Sequence, residues 1–482
     1  MSGKPTIFYG ALLLSGVNLL LQGVSMLFGI YLSSAIGAAG LGLLQLVLSV
    51  GGMALTLGVA GLRITAMYLC AQELTNGKNL RRVLSLCLQW GLALSLAVGF
   101  ALMLGAEALA VHWIGDARGA GALRILGLFL PVTCLTSIFT GYFTAAGRVR
   151  ELVGIEVGER GVFMLLTVAL LKLWAGQDLS RACCAIVLGS SLASVGSLAA
   201  MGLIARLPKG GTGRFFGKII KTALPLALGD TMRSGLSTAE HMLIPRGLER
   251  HGDADAMGAY GTIHGMVFPV IVFPMAFLGA LIDLLIPELS KSRIKGRTER
   301  IRALTDHCFR VGAIFACLCA GVLHLYGDIL GELLYHSASA GEYLALFAPL
   351  VIMLYLDSLT DGILKGLGQQ VHSVRYNTIT SGLDVLLLIF LLPSLGITGY
   401  FISFTLTHFI NFLLSMGRLI KVTGYRLPAG FCLRSILLFC LCLMAGKWLF
   451  APLFLGLLLL TKTVTQEDLQ WLRGVLKRKR CK

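Results

Sequence analysis

The residues of this sequence that are most suited to a chemical role are the charged side chains inside long apolar stretches. Arg233 lies near the middle of an apolar stretch at 222–245, with Asp230 three residues before it and Glu240 seven residues after it. On a helix, these three side chains approximately share one face. An arginine guanidinium stays charged and donates two hydrogen bonds at once to a phosphate. The spacing predicts a phosphate-binding group, or alternatively an Asp230–Arg233 pair that satisfies itself.

Two further charged positions lie near the ends of apolar stretches. Arg63 lies about one helical turn inside the stretch at 41–66, where it can either bind an anion or extend to the membrane surface. Glu159 lies beside Glu156 and Arg160 at the start of the stretch at 155–175. The helix dipole favours acids at that position by about 0.3–1 kcal/mol. Glu159 therefore has a structural explanation as well as a binding one.

Four ionisable residues of the C-terminal half are candidates for binding a coupling proton or Na⁺: Asp357, Asp384, His264 and His408. Asp357 lies deep in its stretch, whereas Asp361 has Lys365 four residues later as a helical partner. The alternative for both histidines is a satisfied position in the core. Since the cysteines form no CxxC pair and have no histidine at zinc spacing, we expect no metal site and no cofactor apart from a coupling ion.

The composition identifies the environment of these residues. Of the 482 residues, 56% are apolar and only 13% are charged, and the mean hydropathy is +0.82. A soluble domain has roughly a quarter charged residues. A bilayer core of about 30 Å needs about 20 apolar residues per helix, and about fourteen such stretches occur. These values exclude a soluble enzyme and predict an all-α polytopic membrane protein.

The Lys and Arg residues are concentrated in alternate loops between the apolar stretches, as expected for a membrane protein with a fixed orientation. The net charge is +17, from 41 Lys and Arg against 24 Asp and Glu, but the basic residues lie between the apolar stretches, which argues against a nucleic-acid partner. With the N-terminus inside, alternate segments on the cytoplasmic side hold about four times as many Lys and Arg as the external segments. We therefore expect a multi-pass protein with both termini in the cytoplasm.

Glycine-rich segments suggest an internal repeat. The segment from Gly141 to Gly147 closes the fourth predicted span, and Gly362 to Gly368 closes the tenth at an offset of about 221 residues. Chance similarity is the alternative, because glycine and leucine are common in apolar sequence. A repeat predicts two pseudo-symmetric six-helix lobes. The predicted parts are an N-lobe at 1–206, a basic cytoplasmic linker at 207–221, a C-lobe at 222–420, an extra helix pair at 425–461 and a basic tail at 462–482.

The tail has its own pattern. Leu469, Leu472, Val475 and Leu476 share one helical face beside Trp471, and four basic residues follow at 477–480. This pattern is typical of an amphipathic helix that lies on anionic lipid head groups. A frayed basic end that only fixes the topology is the alternative.

Several segments spread over the first twelve predicted spans have the order and spacing of a known family. They are Gly141-Tyr-Phe, Ile155-Glu-Val-Gly-Glu-Arg160, Ala223-Leu-Pro-Leu, Met242-Leu-Ile-Pro-Arg-Gly-Leu248, Tyr260-Gly, Phe273-Pro, Leu285-Ile-Pro-Glu-Leu-Ser290, Gly362-Ile-Leu-Lys-Gly-Leu-Gly368 and Leu395-Gly-Ile-Thr-Gly399. Together they resemble the stage V sporulation protein B branch of the polysaccharide-biosynthesis membrane proteins. That branch belongs to the multidrug/oligosaccharidyl-lipid/polysaccharide exporter superfamily.

The resemblance implies a fold and a function. The implied fold has two lobes around a V-shaped cavity, as in the multidrug exporters of the superfamily. The implied function is non-enzymatic: alternating-access transport of polyprenyl-diphosphate-linked sugar precursors across the cytoplasmic membrane. Cation-coupled multidrug export is the alternative activity, and a membrane scaffold for cell-wall enzymes is a third. The expected partners are the lipid-linked glycan and anionic lipids, with cell-wall synthesis enzymes as a further class.

On this reading, one set of residues contacts the substrate head group in the cavity: Arg233, Arg63, Asp230, Glu240 and Glu159. The sequence departs from many relatives at two places in this set. It has Glu156-Val-Gly-Glu159-Arg160 where they have Gln-x-x-Glu-Gln, and Gly61-Leu-Arg63 where they have Gly-x-Pro. These departures predict that the substrate can differ from that of the sporulation branch.

Overall fold

The structure, a computed structural model, describes residues 4–76, 79–176, 178–205, 215–426 and 429–461. These residues contain helices, turns and short connections and no strand. The tail at 462–482 and most of the linker at 207–221 lie outside the described residues. The prediction of an all-α polytopic membrane protein is confirmed.

The helices follow one another with short connections. They are α1 (Lys4–Val59), α2 (Leu62–Asn76), α3 (Leu80–Leu109), α4 (Ala120–Ala145), α5 (Val149–Leu170), α6 (Leu179–Ile204), α7 (Phe216–His251), α8 (Ala256–Gly261), α9 (Phe268–Ile294), α10 (Thr298–Tyr335), α11 (Ala338–Phe347), α12 (Leu350–Gly366), α13 (Gln370–Thr423), α14 (Ala429–Met444) and α15 (Lys447–Leu460). Short π-helical segments at Ala110–Ile114 and Leu171–Ala175 extend α3 and α5, and a third at Thr262–Val267 joins α8 to α9.

Two of these helices are interrupted at a glycine. Gly37 in α1 has φ 69° and Gly396 in α13 has φ 57°, a region that residues with a Cβ rarely adopt. Each break divides its helix into two rods, which carry the first and second and the eleventh and twelfth predicted spans. The tenth span is the pair α11–α12, bent by 56°. The second predicted span, 41–66, departs from this pattern, because it crosses from α1 into α2 at Ala60 and Gly61, which both have positive φ. The predicted number of about fourteen spans is therefore approximate.

A test of helix length and apolarity alone finds fewer candidate membrane spans than the fourteen predicted from the sequence. Within the described ranges, seven helices are long and apolar enough to cross a membrane, or eight if the bent pair α11–α12 is one span. The helices α14 and α15 are apolar but short. The helices α5 and α7 are too polar to join the set, and they are the helices that carry Glu159, Arg233 and their charged neighbours.

The chain divides into two compact units. Counting only the described residues, the first, called here the N-proximal unit, covers 32–261, and the second, the C-proximal unit, covers 4–31 and 262–461. This grouping places most of the first rod of α1 in the C-proximal unit and α7 in the N-proximal unit. The lobes expected at 1–206 and 222–420 stay a prediction.

In the N-proximal unit, the backbone that carries Arg63 is held from two sides. A Cβ built on Gly141 of α4 would lie 2.3 Å from the carbonyl oxygen of Arg63 on α2, so the two helices are in backbone contact. A Cβ built on Gly61, just before α2, would lie 2.7 Å from the carbonyl oxygen of Ala223 on α7. Close packing at small residues is the usual means by which membrane helices associate. It fixes the position of Arg63 between α4 and α7.

In the C-proximal unit, a tyrosine side chain of α12 forms a hydrogen bond to the backbone of α9. Tyr355 of α12 is fully buried, and its hydroxyl donates to the carbonyl oxygen of Ile271 in α9 at 2.7 Å. The same hydroxyl interacts with the backbone N–H of Met275. Ile271 and Met275 are an i, i+4 pair of α9, and Pro274 lies between them. The phenol therefore supports α9 where proline weakens its hydrogen-bond ladder.

The extra helix pair attaches to the C-proximal unit at α10. Phe450 and Phe454 of α15 are buried and pack against Cys317 of α10. A Cβ built on Gly321 of α10 would lie 1.9 Å from the ring of Phe450. The hydroxyl of Tyr326 also donates to the carbonyl oxygen of Lys447 at 2.7 Å. The pair is therefore a packed part of this unit.

Gly141→Ala should destabilise the protein because the new methyl group forces α2 and α4 apart. Overpacking of this kind costs roughly 1–3 kcal/mol, and we expect a lower midpoint of thermal unfolding in detergent. Gly154→Ala on α5 is the control, since open space surrounds that position. Equal midpoints for the two variants would contradict the described contact.

Candidate functional site

Arg233 projects from the middle of α7 with its charge accessible. Its side chain is 62% exposed, that of Asp230 is 43% exposed, and Nη2 and Oδ1 are 3.9 Å apart. Exposed pairs with such loose geometry contribute little. The next residue, Ser234, accepts a hydrogen bond from Thr56 of α1 at 3.4 Å. The structure thus brings Asp230 to Arg233 without locking the guanidinium, which keeps donors for another ligand.

Glu240 lies further along α7 in a different setting. It is half-buried and interacts electrostatically with the hydroxyl of Tyr260. That hydroxyl lies 2.9 Å from Nδ1 of His241. Glu240 therefore lies beside a buried tyrosine–histidine pair of the N-proximal unit, while its place in a substrate cavity stays a prediction.

Arg63 and Glu159 have unlike surroundings. Arg63 is exposed on α2, and its charge interacts with that of Glu156 on α5. Glu159 accepts hydrogen bonds from the hydroxyls of Ser194 at 2.7 Å and Ser197 at 2.8 Å, both on α6. Hydrogen bonds to a charged group contribute about 1.5–3 kcal/mol. Glu159 thus joins α5 to α6, which supports the structural explanation for this residue.

Among the residues predicted to bind substrate, Arg63 and Arg233 thus have accessible guanidinium groups. Their helices, α2 and α7, are in backbone contact at Gly61. A charged side chain inside a membrane protein normally faces a bundle interior or a water-filled cavity, because exposure to hydrocarbon is costly. Arginine at such a position is suited to phosphate, which accepts two parallel hydrogen bonds from the guanidinium edge.

The C-proximal unit holds a second, buried polar site around Asp357 of α12, which is 6% exposed. The amide of Asn411 donates to both carboxylate oxygens at 2.8 and 2.9 Å, and Nδ1 of His408 lies 3.1 Å from Oδ2. Asn411 also donates to Asn377 at 2.9 Å, and Asn377 donates to Asp361 at 2.8 Å. The predicted Asp357 and His408 therefore meet in one network with two asparagines.

Asp384 forms the second part of this site. It lies on the first rod of α13, is 4% exposed, and accepts the hydroxyls of Ser403 at 2.7 Å and Thr407 at 3.2 Å. Both donors lie on the second rod of α13. A carboxylate with two hydroxyl donors has its negative charge stabilised although it is buried.

Sequence reasoning missed the partners of these acids. Ser403, Thr407, Asn411 and Ser415 recur at intervals of four along the second rod of α13, so they form one polar stripe. All four donate to the carboxylates of Asp357, Asp361 or Asp384. The periodicity was a usable signal, because four polar residues on one face of an apolar helix must face polar partners.

His264 lies apart from the acids, among aromatic rings. Its Nε2 is 3.3 Å from the hydroxyl of Tyr400, and its ring stacks on Phe268 at 5.0 Å and 11°. The ring of Phe404 contacts Tyr400 on one side and His408 on the other, with centroid distances of 5.7 and 4.4 Å. The structure thus places His408 beside Asp357. His264 instead has a hydrogen-bond partner and aromatic neighbours, as expected for a histidine in the core.

The network has oxygen atoms suited to a hard cation. Oδ1 of Asn411 is buried and accepts no hydrogen bond from the described residues. Groups of three or more His, Cys, Asp and Glu residues that could hold a metal ion are absent from the described ranges. The ligands of a cation here would therefore combine a carboxylate with amide and hydroxyl oxygens, which hard cations prefer.

Comparisons with known proteins agree with this architecture. No family model matches the chain. Stage V sporulation protein B of Bacillus subtilis (strain 168) is 21% identical over 416 residues, which are 82% of this chain and 80% of that protein. The lipid II flippase MurJ in an inward closed conformation has a TM-score of 0.72 at 12% identity, and the match covers 96% of this chain and 99% of MurJ.

A solved multidrug transporter gives a similar result. The inward-facing conformation of a MATE family multidrug resistance transporter of the MOP superfamily has a TM-score of 0.66 at 13% identity, and covers 84% of this chain and 95% of its own. At 12% and 13% identity, these two comparisons show that the chain has the fold of the MurJ and MATE structures. The resemblance predicted from the sequence is confirmed as a similarity to stage V sporulation protein B, and the predicted fold similarity to the multidrug exporters is confirmed.

Asn411→Leu should destabilise the protein strongly, because it removes both amide hydrogen bonds from the buried carboxylate of Asp357. Loss of partners to a buried charged group costs about 2–3 kcal/mol or more. We expect a lower midpoint of thermal unfolding, with partial recovery in the double variant Asn411→Leu/Asp357→Asn, which removes the charge. The control is Thr378→Val, a half-buried position on α13 whose hydroxyl donates to the carbonyl oxygen of Val374 and not to the network. A wild-type midpoint for Asn411→Leu would contradict the network.

Proposed function

We propose that the protein is a flippase that moves lipid-linked sugar precursors, carried on a polyprenyl diphosphate, across the cytoplasmic membrane by alternating access. Two similarities support this function: the sequence similarity to stage V sporulation protein B over most of both chains, and the fold similarity to the lipid II flippase MurJ. A flippase forms no covalent bonds. Its task is to lower the cost of taking a charged head group through about 30 Å of hydrocarbon.

The observation that carries the proposal is the accessible guanidinium of Arg233 in the middle of α7. With 62% of its side chain exposed and Asp230 at 3.9 Å, Arg233 can bind the diphosphate while the carboxylate holds the guanidinium in place. Arg63 is the second phosphate-binding residue, at the end where a head group would enter from the cytoplasm. Glu240 and Glu159 complete the proposed wall of the cavity.

The proposed orientation follows the distribution of Lys and Arg, with both termini in the cytoplasm. The proposed substrate partner is the lipid-linked glycan. Anionic lipids are the second proposed partner class. Cell-wall synthesis enzymes are the third, because they would make or use the transported precursor.

Arg233→Ala should reduce transport at least tenfold, since a hydrogen-bonded charged contact contributes about 1.5–3 kcal/mol. The assay uses purified protein in liposomes and a fluorescent polyprenyl-diphosphate sugar, with the rate of appearance on the opposite leaflet as the readout. Arg233→Lys should retain an intermediate rate because it keeps the charge without the bidentate geometry.

Arg250→Ala, an exposed position at the end of the same helix, is the matched control and should keep the wild-type rate. If Arg233→Ala transports normally, Arg233 is not the phosphate-binding residue.

We further propose that a cation, Na⁺ or H⁺, couples transport to a gradient through Asp357 and Asp384. Both carboxylates are buried, and their donors include the neutral groups of Asn411, Ser403 and Thr407. Carboxylate, amide and hydroxyl oxygens are the ligands that a hard cation such as Na⁺ prefers. His408, at 3.1 Å from Asp357, is the residue that can exchange a proton with it.

Asp384→Asn and Asp357→Asn should each abolish the stimulation of transport by an imposed gradient, because the amide cannot bind a proton or a sodium ion as the carboxylate does. Separate sodium and proton gradients in the liposome assay identify the ion. Asp283→Asn, an exposed acid on α9, is the control and should retain the stimulation. Full stimulation in both buried variants would remove this site from the coupling mechanism.

Cation-coupled multidrug export is the second candidate function, favoured by the fold similarity to the MATE transporter. Its substrates are mostly cationic, so they would bind the acidic groups of the C-proximal unit rather than Arg233. Efflux of a lipophilic cation that requires Asp357 or Asp384 and is unaffected by Arg233→Ala would favour this function.

A further inference from the structure

An open cavity of about 500 Å³ lies at the end of α13, next to the first turns of α10. Its lining consists of Arg302, Ala303, Asp306, Gly424, Tyr425 and Arg426. All of these residues belong to the C-proximal unit, and the cavity involves neither the buried acid network nor Arg233. Its volume is within the range of ligand sites, about 300–1,000 Å³.

Arg302 is held in place by the end of α13. Its Nε donates to the carbonyl oxygen of Thr423 at 2.8 Å, and its Nη2 would lie 2.4 Å from a Cβ built on Gly424, so the guanidinium packs directly on this glycine. A guanidinium bonded through Nε still has the edge formed by its two Nη groups. That edge can donate two parallel hydrogen bonds to a phosphate.

The acid of the cavity has its own partners. Asp306 accepts the Tyr425 hydroxyl on Oδ1 at 3.0 Å and Nε of Arg310 on Oδ2 at 2.7 Å. Tyr425 is 4% exposed and stacks on Phe309 at 5.9 Å. Because Asp306 is neutralised by Arg310, the exposed charges of Arg302 and Arg426 give the cavity a net positive character.

The surroundings are basic and apolar in a pattern that fits a lipid. Arg293 in the last turn of α9 and Lys295 and Arg297 in the connection to α10 are all exposed, and they lie near the end of α10 that carries Arg302. One helical turn before Gly424 of the cavity, Ile420 of α13 exposes 41% of its side chain. In the following helix α14, Ile436 exposes 57% of its side chain. A basic head-group site that borders exposed apolar side chains suits a phosphate attached to acyl chains better than a free ion.

We propose that this cavity binds the phosphate of an anionic membrane lipid, with Arg302 and Arg426 as its ligands. The site is distinct from the proposed substrate site and does not depend on the proposed flippase function. A lipid bound there contacts the first turn of α10, the end of α13 and the chain that leads into α14. It would therefore fasten the extra helix pair to the rest of the C-proximal unit.

The test is native mass spectrometry of the purified full chain, with phosphatidylglycerol or phosphatidylcholine titrated from mixed micelles. Wild-type protein should retain phosphatidylglycerol in preference to phosphatidylcholine. Arg426→Gln should weaken retention about fivefold, the effect of one basic residue near an anionic lipid, and Arg302→Gln/Arg426→Gln should weaken it further. Arg434→Gln, an exposed arginine of α14 outside the cavity, is the matched control and should change retention less than twofold.

Arg426→Gln is the more informative single variant because Arg302 also supports the end of α13, and circular dichroism verifies that each variant is folded. Competition by millimolar inorganic phosphate would support the phosphate site and identify free phosphate as an equal ligand. Retention that resists inorganic phosphate but falls in Arg426→Gln supports the lipid. Wild-type retention in both arginine variants, or equal retention of phosphatidylcholine, would overturn the proposal.

Discussion

An ionised side chain within a membrane protein must reach water or be surrounded by hydrogen-bond partners, because burial in hydrocarbon without them costs several kcal/mol or more. This protein uses both solutions, each in a different unit. In the N-proximal unit, Arg63 and Arg233 keep their charges accessible on helices that are fixed elsewhere. In the C-proximal unit, Asp357 and Asp384 are buried and surrounded by amides and hydroxyls. The accessible charges suit a charged substrate that enters and leaves, and the buried ones suit a small ion.

The helices that carry these charges are positioned by glycine. Apolar side chains gain little by leaving lipid for a helix interface, so close backbone approach is the main source of affinity between membrane helices. Gly141 allows α4 to contact the backbone at Arg63, and Gly312 of α10 contacts Leu359, two residues after Asp357 on α12. The positions of Arg63 and Asp357 thus depend on nearby glycine contacts that contribute no chemistry of their own.

Much of the fold could be predicted from the sequence, because a membrane helix is identified by a continuous local run of apolar residues. The breaks at Gly37 and Gly396 fall between predicted spans for the same reason: each follows a complete apolar stretch. The candidate sites were only partly predictable. Asp357 and His408 are recognisable as buried ionisable residues, but their contact joins positions 51 residues apart and needs the tertiary fold. Glu159 likewise finds its donors on the next helix, 35 and 38 residues away. The partners of Asp384 were readable from their four-residue period.

The contact between Tyr355 and α9 has a mechanical consequence. A helix weakened by proline usually bends according to its own geometry and the space around it. Here the hydroxyl of Tyr355 on α12 interacts with the backbone groups of Ile271 and Met275. The rigidity of α9 at this point therefore depends partly on α12. Without the hydrogen bond from Tyr355 to Ile271, α9 would lose this support next to Pro274. The bending of α9 is thus tied to the position of α12, the helix that also carries the buried acid Asp357.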